Sequence, residues 1–336
     1  MSRSLERYRF AHQNADTGER QVGEDEGHTY PPEPSNILVI DMGGTHIKFG
    51  CVREGRVQRF QHQVPTRCVR NSDPVESLAV LTRQFIAESG LTPDIVVSTV
   101  PGFLGADGDR LLNVANIPEM NGVHLRSELS ALLQIPVILE RDANLALIGE
   151  SVAGAAMGTS NALAIFFGTG IGASLLMDGK PYRGSGWALE IGHVPVFGEK
   201  IEALSPLKHP SIEDYASGRA LQAIAQRYRV PVEALFETDS EPTQLTLALD
   251  NFIRHQALVV SAAMATLSPE TVILGGGVLS IAGYPKDRLK QLIAANAPCT
   301  KTGAALDLRW AVLGWSSVLH AAPAIVRAHR HLPHTR

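Results

Sequence analysis

An apolar strand that runs into a glycine-hydroxyl turn and returns as a second strand occurs twice in this chain, at 37–52 and at 162–177. That recurrence constrains the fold more than any other feature of the sequence. In the first copy, Ile37-Leu38-Val39-Ile40 is a short β-branched run that reads as a buried strand and ends at a single acid, Asp41. Gly43, Gly44, Thr45 and Lys48 follow. Glycines let the backbone turn tightly and bring its N–H groups close to something bulky. Such donors, with a hydroxyl and a cation at a strand-to-turn junction, make a phosphate cradle. Asp41 at the strand end is suited to face a magnesium ion, directly or through water. The second copy is the run 162–167, then Gly168-Thr169-Gly170-Ile171-Gly172, then a strand over 173–177. A dinucleotide-binding unit needs a helix after such a turn, and here a strand follows. A second phosphate loop facing the first fits better, with Thr169 offering its hydroxyl. Two related halves facing each other make a cleft. Each turn taken alone is also compatible with an ordinary hairpin.

At 336 residues the chain is long enough for two domains. Hydrophobic residues make up 44% and charged residues 19%, which is ordinary globular composition. The net charge of −4 argues against a nucleic-acid coat or a basic membrane patch. No apolar run approaches the ~20 residues that cross a bilayer. The first residues have no apolar core like that of a secretory signal. Cys51, Cys68 and Cys299 sit at scattered spacings and are expected as free thiols in a reducing compartment. The cytoplasm is the expected location.

Residues 1–35 are polar, with Gly23, Gly27, Pro31, Pro32 and Pro34 and no sustained apolar period. A flexible lead-in is expected, since a DNA-binding helix-turn-helix would need two amphipathic helices there. From Ile37 the pattern predicts strands at 37–40, 47–52 and 56–64, a helix over 75–89 closed by Gly90, and a strand over 94–100. Residues 104–122 read as loop. A helix over 125–133, a strand over 136–139 and an alanine-rich helix over 145–156 follow. Further helices are expected at 221–228, 244–267 and 316–328, with a strand from Val272. Three strands, a helix and a fourth strand resemble the start of the actin and hexokinase fold. The expected class is α/β, a two-domain actin/hexokinase-like (ribonuclease H-like) fold with a cleft between domains. The N-terminal domain would cover 36–138, completed by a C-terminal helix at 315–330, and the second domain 139–314.

Asp142 is the candidate general base. Phosphoryl transfer to a sugar hydroxyl needs a carboxylate within hydrogen-bond reach of the attacking oxygen. Asp142 follows a strand and precedes a helix, whose N-terminus is expected to hold its pKa down. An N-cap role suits the same position. Asn144 either orients Asp142 or caps the helix. In the stretch 186–194, Glu190 and His193 lie three apart beside Gly192. A carboxylate and an imidazole facing a polyol can hold adjacent hydroxyls. Glu213 is a further acid for the same pocket, or a solvated helix start. Gly275, Gly276 and Gly277 would let an aromatic base lie against the backbone, or form a plain strand-to-helix turn.

Asp41-Met-Gly-Gly-Thr-His-Ile-Lys48, Glu140-Arg-Asp-Ala-Asn144, Gly168-Thr-Gly-Ile-Gly172, Glu190-Ile-Gly-His193 and Ile273-Leu-Gly-Gly-Gly277 resemble, in this order, the motifs of ROK-family sugar kinases. The resemblance implies ATP with Mg2+ and transfer of the γ-phosphate to a hexose hydroxyl, the 6-hydroxyl above all. It also implies a possible homodimer. Carried over by position, it makes Asp142 the catalytic base. Gly102, Asn116, Asn144, Glu190, His193 and Glu213 fall on the sugar side. Asp41, Gly43, Gly44, Thr45, Lys48, Gly168, Thr169, Gly170, Gly275 and Gly276 fall on the nucleotide side. Within the family, the Asp-Met-Gly-Gly-Thr-His-Ile and Arg-Asp-Ala-Asn-Leu stretches and residues 278–289 look most like D-allose kinases. Allose, glucose or a related aldohexose is the expected substrate, with no nucleic-acid or membrane partner.

The sequence departs from the family in one place. Most members carry Cys-x-Cys-Gly-x-x-Gly-Cys shortly after the Gly-His pair, and it binds a structural zinc together with that His. Residues 194–212 contain no cysteine. His193 and His209 would supply two of the four ligands that tetrahedral zinc needs, so no zinc is expected. Pro195, Phe197, Pro206 and Pro210 are candidates to hold that loop instead. Two other functions share the fold. One is a sugar-sensing regulator or catalytically inactive ROK relative without a DNA-binding domain; Asp142 and the lead-in argue against it. The other is a chaperone-like ATPase, and the polyol clamp of Glu190, His193 and Glu213 argues against that.

Overall fold

The structure is a computed structural model that describes residues 35–100, 102–114, 116–196, 210–237 and 243–330. The lead-in 1–34 and Phe197, Pro206 and His209 lie outside the described residues. The chain opens with β1 (Asn36–Met42), β2 (His46–Arg53) and β3 (Arg56–Pro65). Helix α1 (Pro74–Ser89) starts where Asp73 accepts the Glu76 N–H and stops at Gly90, whose φ of 60° is left-handed. Next come β4 (Ile95–Val100), a two-residue hairpin of β5 (Phe103–Leu104) and β6 (Leu111–Leu112), α2 (Leu125–Leu133) and β7 (Val137–Arg141). The hairpin falls in the stretch expected as loop; two residues per strand are too few to show a period.

Helix α3 (Asp142–Ala153) follows β7 without a break, three residues ahead of the expected start. Arg141 is its extended N-cap residue, so Asp142 is the first helical residue and not the cap. The second half holds β8 (Ala162–Phe167), β9 (Ile171–Met177), β10 (Lys180–Pro181), α4 (Glu213–Ala216), α5 (Gly218–Tyr228) and α6 (Gln244–Leu267). It ends with β11 (Thr271–Gly275), α7 (Lys286–Asn296), α8 (Cys299–Thr302), β12 (Leu308–Trp310) and α9 (Ser316–Arg330). Asp178 and Gly179, with φ of 51° and 75°, make the tight turn between β9 and β10.

Two five-stranded sheets result, in the orders β3-β2-β1-β4-β7 and β10-β9-β8-β11-β12. In each, three sequential strands pair antiparallel and two later strands add in parallel beside the first. The recurrence seen in the sequence is thus a repeat of a whole sheet. Alternation along the strands assigns their faces. Leu38, Ile40 and Met42 of β1 join a core with Leu78 and Phe85 of α1 and Leu129 of α2. Leu163 and Ile165 of β8 join another with Phe252 of α6 and Leu289 of α7. The opposite faces, with Val39 and Val97 from the first sheet and Ala164 and Ile273 from the second, pack on Leu145 and Ile148 of α3 and Leu319 and Ile325 of α9.

Helices α3 and α9 therefore lie between the two sheets, and they touch closely. A Cβ on Gly149 would come within 2.0 Å of the Ser317 carbonyl oxygen. Cys51, Cys68 and Cys299 are unpaired. Among the described residues no helix is long and apolar enough to cross a membrane. Because backbone atoms of α9 cannot yield to a methyl group, Gly149→Ala is expected to destabilise the protein by roughly 1–3 kcal/mol, the range for overpacked cores. Chemical unfolding of the two proteins side by side measures this.

Candidate active site

The equivalent ends of the two sheets open on one cavity of about 800 Å³. Of the residues expected on the nucleotide side, Asp41, Gly43, Gly44, Lys48, Gly168, Thr169, Gly170, Gly275 and Gly276 line it. The Gly43 N–H is spent inside its turn, on Asp41 and His46 carbonyls, and the Gly168 N–H on Gly170. These two glycines shape their loops, and the phosphate donors expected of them are absent. Gly44, Thr169 and Gly170 keep backbone N–H groups with no partner among the described residues. Gly276 must be glycine, because its φ is 98° and a Cβ would lie 2.3 Å from the Phe167 carbonyl oxygen. Trp310 and Trp315 add aromatic walls, with Lys286 5.3 Å above the first ring and Lys48 5.6 Å above the second.

Asp41 accepts from Thr99 Oγ1 at 3.2 Å and lies 4.0 Å from Lys48 Nζ. Burial pushes its carboxyl above the ordinary aspartate value; Lys48 and Thr99 oppose the shift and the charge of Asp142 adds to it. An acid strained in this way at a strand end suits a divalent cation, so the residues present fit magnesium.

Asp142 lines the cavity and is accessible from it. The protein packed around it nevertheless desolvates the carboxyl, and that raises its pKa. The Ala143 N–H, donated to Oδ1 at 2.6 Å, and the Arg141 charge offset part of the rise. The expectation that the helix end would hold this pKa down is therefore corrected: desolvation at the cleft floor outweighs the local donors.

The sugar-side residues divide. Gly102, Asn116, Glu190, His193 and Glu213 line the cavity. A Cβ on Gly44 would sit 2.9 Å from Asn116 Nδ2, so this side chain closes directly over the first phosphate loop. Glu190 gives Oε1 to Arg141 at 2.5 Å and holds Oε2 3.8 Å from His193 Nε2. Burial raises its pKa against the opposing charges of Arg141 and His193. Glu213 is buried, not a solvated helix start: it pairs with Arg219, and its Oε2 is packed against Gly170 and Gly192.

The comparisons with known proteins bear on this geometry. The family model described as the ROK family matches residues 37–328. The chain belongs to the ROK family. A relative, the N-acetyl-D-glucosamine kinase of Escherichia coli O127:H6, is 28% identical over 253 residues, covering 71% of this chain and 83% of that protein. The ROK hexokinase from Thermus thermophilus superposes with a TM-score of 0.71 at 25% identity, covering 88% and 99%. The ROK glucokinase from Streptomyces griseus, solved with glucose and AMPPNP, gives 0.71 at 22%, covering 87% and 99%. A ROK transcriptional regulator, a homologue of the E. coli MLC protein, gives 0.73 at 17%, covering 87% and 78%.

Two assignments in this ROK protein need correction. Asn144 does not reach the cavity: it is 1% exposed, donates to Glu140 Oε1 at 2.8 Å and accepts from Ser174 Oγ at 2.8 Å. It ties β7 to β9 behind Asp142, because its place on α3 turns it inward. Thr45 is exposed at the turn tip and outside the cavity lining; its carbonyl accepts the Thr66 N–H at 2.9 Å. Among the described residues no cluster of three or more His, Cys, Asp or Glu could hold a metal ion. Sequence reasoning missed Arg141, Asn113, Arg219, Lys286 and the two tryptophans, all of which line the cavity. Only Arg141 had a local signal, its place beside Asp142 in the Glu140–Asn144 motif.

The raised pKa has a sign. A folded-state value above the unfolded one makes the charged form of Asp142 unfavourable, so its cost is absent well below the unfolded value and sets in as pH rises above it. Asp142→Asn is expected to raise the melting temperature at pH 7 and to leave it nearly unchanged at pH 3. Calorimetry at the two pH values checks this.

Proposed function

We propose that this ROK-family sugar kinase transfers the γ-phosphate of ATP to the 6-hydroxyl of an aldohexose or its 2-acetamido derivative, with Asp142 as general base. The observation that carries the reading is an accessible carboxylate, Asp142, lining the same cavity as two glycine loops and Glu190, His193 and Glu213. The N–H groups of Gly44, Thr169 and Gly170, without a partner among the described residues, suit phosphate oxygens. The sugar cluster offers acceptors and an imidazole, the complement of a polyol's hydroxyls.

In this scheme Asn116, Glu190, His193 and Glu213 hold the ring and bring one hydroxyl beside Asp142. The carboxylate takes that proton as the oxygen bonds to phosphorus and the bond to the ADP oxygen breaks. Magnesium, which Asp41 would hold, supplies neutralising charge on the phosphate oxygens when bound. Closure of the cleft excludes water, which at ~55 M would otherwise compete as acceptor, so positioning decides the outcome. The motif similarity to D-allose kinases and the N-acetylglucosamine kinase relative support different sugars within one class, which is why the substrate is given as a class.

A regulator reading has a specific basis in the ROK regulator of the same fold. ADP release measured with glucose, allose, N-acetylglucosamine and N-acetylmannosamine separates the readings. The kinase reading expects sugar-dependent ADP release and a phosphorylated product. Sugar binding without ADP release would favour the regulator, and a sugar-independent rate the ATPase. Asp142→Asn is expected to lower kcat by at least about 10²-fold, within the range for losing a general base, with sugar affinity kept. Near-wild-type turnover would remove Asp142 from the role.

A further inference from the structure

Arg141, the residue before the proposed base, takes no part in the scheme above. This residue ends β7 and is 8% exposed. Nη1 donates to the Ala188 carbonyl at 2.6 Å and Nη2 to Glu190 Oε1 at 2.5 Å. Between those two anchor points stands Leu189 with φ of 65°, a left-handed backbone that a branched side chain resists. The fork of Arg141 thus grips both sides of a strained residue and sets the direction in which Glu190 leaves the chain.

Glu140 holds the other end of the same segment. Its Oε2 accepts from Arg183 Nε at 3.1 Å and also from Arg183 Nη2. Its Oε1 accepts the Arg141 N–H at 3.0 Å and Asn144 Nδ2 at 2.8 Å. Two consecutive residues of opposite charge therefore clamp 183–190 at its two ends. The segment needs the clamp: Gly184 and Gly186 also have positive φ, at 52° and 104°, and Trp187 is 69% exposed. Opposite signs at the two anchors also forbid a slip of register, since Glu140 cannot bind Glu190 nor Arg141 bind Arg183.

We propose that Arg141 is a positioning residue that fixes Glu190 relative to Asp142, and so determines which sugar hydroxyl reaches the base. The inference rests on the sugar-kinase reading. One oxygen of Glu190 is spent on Arg141 and the other, beside His193, is left for substrate. Removing the guanidinium frees a partly buried carboxylate and lets Leu189 relax, which turns Glu190 away. Among the described residues no hydrogen bond or ion pair joins this pair to the glycine loops, so the loss should fall on the sugar alone.

The test is steady-state kinetics of Arg141→Gln, Arg141→Lys, Glu190→Gln and the Arg141→Gln/Glu190→Gln double variant, with whichever of glucose, allose, N-acetylglucosamine or N-acetylmannosamine the wild type phosphorylates. Arg141→Gln is expected to raise the sugar KM at least 10-fold and leave the ATP KM within 2-fold, with partial rescue by lysine. In the Glu190→Gln background the same change should add less than 2-fold. A parallel rise of both KM values, or full multiplication of the two single effects, would overturn the proposal. Hydrogen exchange of the 183–190 amides keeps the two readings apart. If the wild type phosphorylates no sugar, the kinase reading fails. Faster exchange in the lysine and glutamine variants than in wild type still supports the clamp, and unchanged exchange overturns it.

Discussion

The contact between α3 and α9 bears the rest of the structure. Both sheets turn one face toward this helix pair, so the pair is a shared core for the two halves. The approach is close because Gly149 offers no side chain to the backbone at Ser317. Helix α3 also carries chemistry at both of its ends. Asp142 opens it at the cavity wall, and Glu150 nears its end, 1% exposed. Glu150 accepts the N–H groups of Val312 at 3.0 Å, Leu313 at 2.9 Å and Ala155 at 2.7 Å. That ties the helix to the loop beside Trp315. A displacement of α3 would thus move Asp142 and that loop together.

Electrostatics in the cavity follow from the same construction. Asp41 and Asp142 come from the first sheet and from the helix that follows its last strand, and each is desolvated by the protein packed around it. Each carboxyl is pushed toward its neutral form in the absence of a compensating cation. A kinase turns that penalty to use: a desolvated carboxylate is a stronger base toward an alcohol than a solvated one. The cations near these acids have separate tasks. Lys48 faces Asp41, whereas Arg141 is committed to Glu190 and Arg219 to Glu213. Charge is therefore matched locally, with Asp142 left without a direct ion pair among the described residues.

Much of the architecture was legible because it is written in short-range patterns. The short apolar runs at 37–40 and 162–167 and the periodic stretches at 125–133 and 244–267 have one stable reading each. Glycines at 43–44, 168–172 and 275–277 mark the loops, and at Gly43 and Gly276 close backbone approach leaves no room for a side chain. What escaped depends on contacts distant in sequence. The inward turn of Asn144 depends on Ser174, thirty residues on in the hydrogen-bonded pair. The role of Arg141 depends on Ala188 and Glu190, and the sign of the Asp142 shift on how much protein surrounds it. Helix dipole logic, applied to that acid alone, gave the wrong direction because burial is a property of the whole fold.

The most direct measurement is a crystal structure of the protein with a non-hydrolysable ATP analogue and a phosphorylatable sugar. The account predicts an Asp142 oxygen about 3 Å from one sugar hydroxyl, with that hydroxyl in line with the γ-phosphorus and the phosphates between the loops at Gly44 and Gly170. A sugar bound with its hydroxyls beyond about 5 Å of Asp142, outside any hydrogen-bond distance, or phosphates lodged away from both loops, would contradict it.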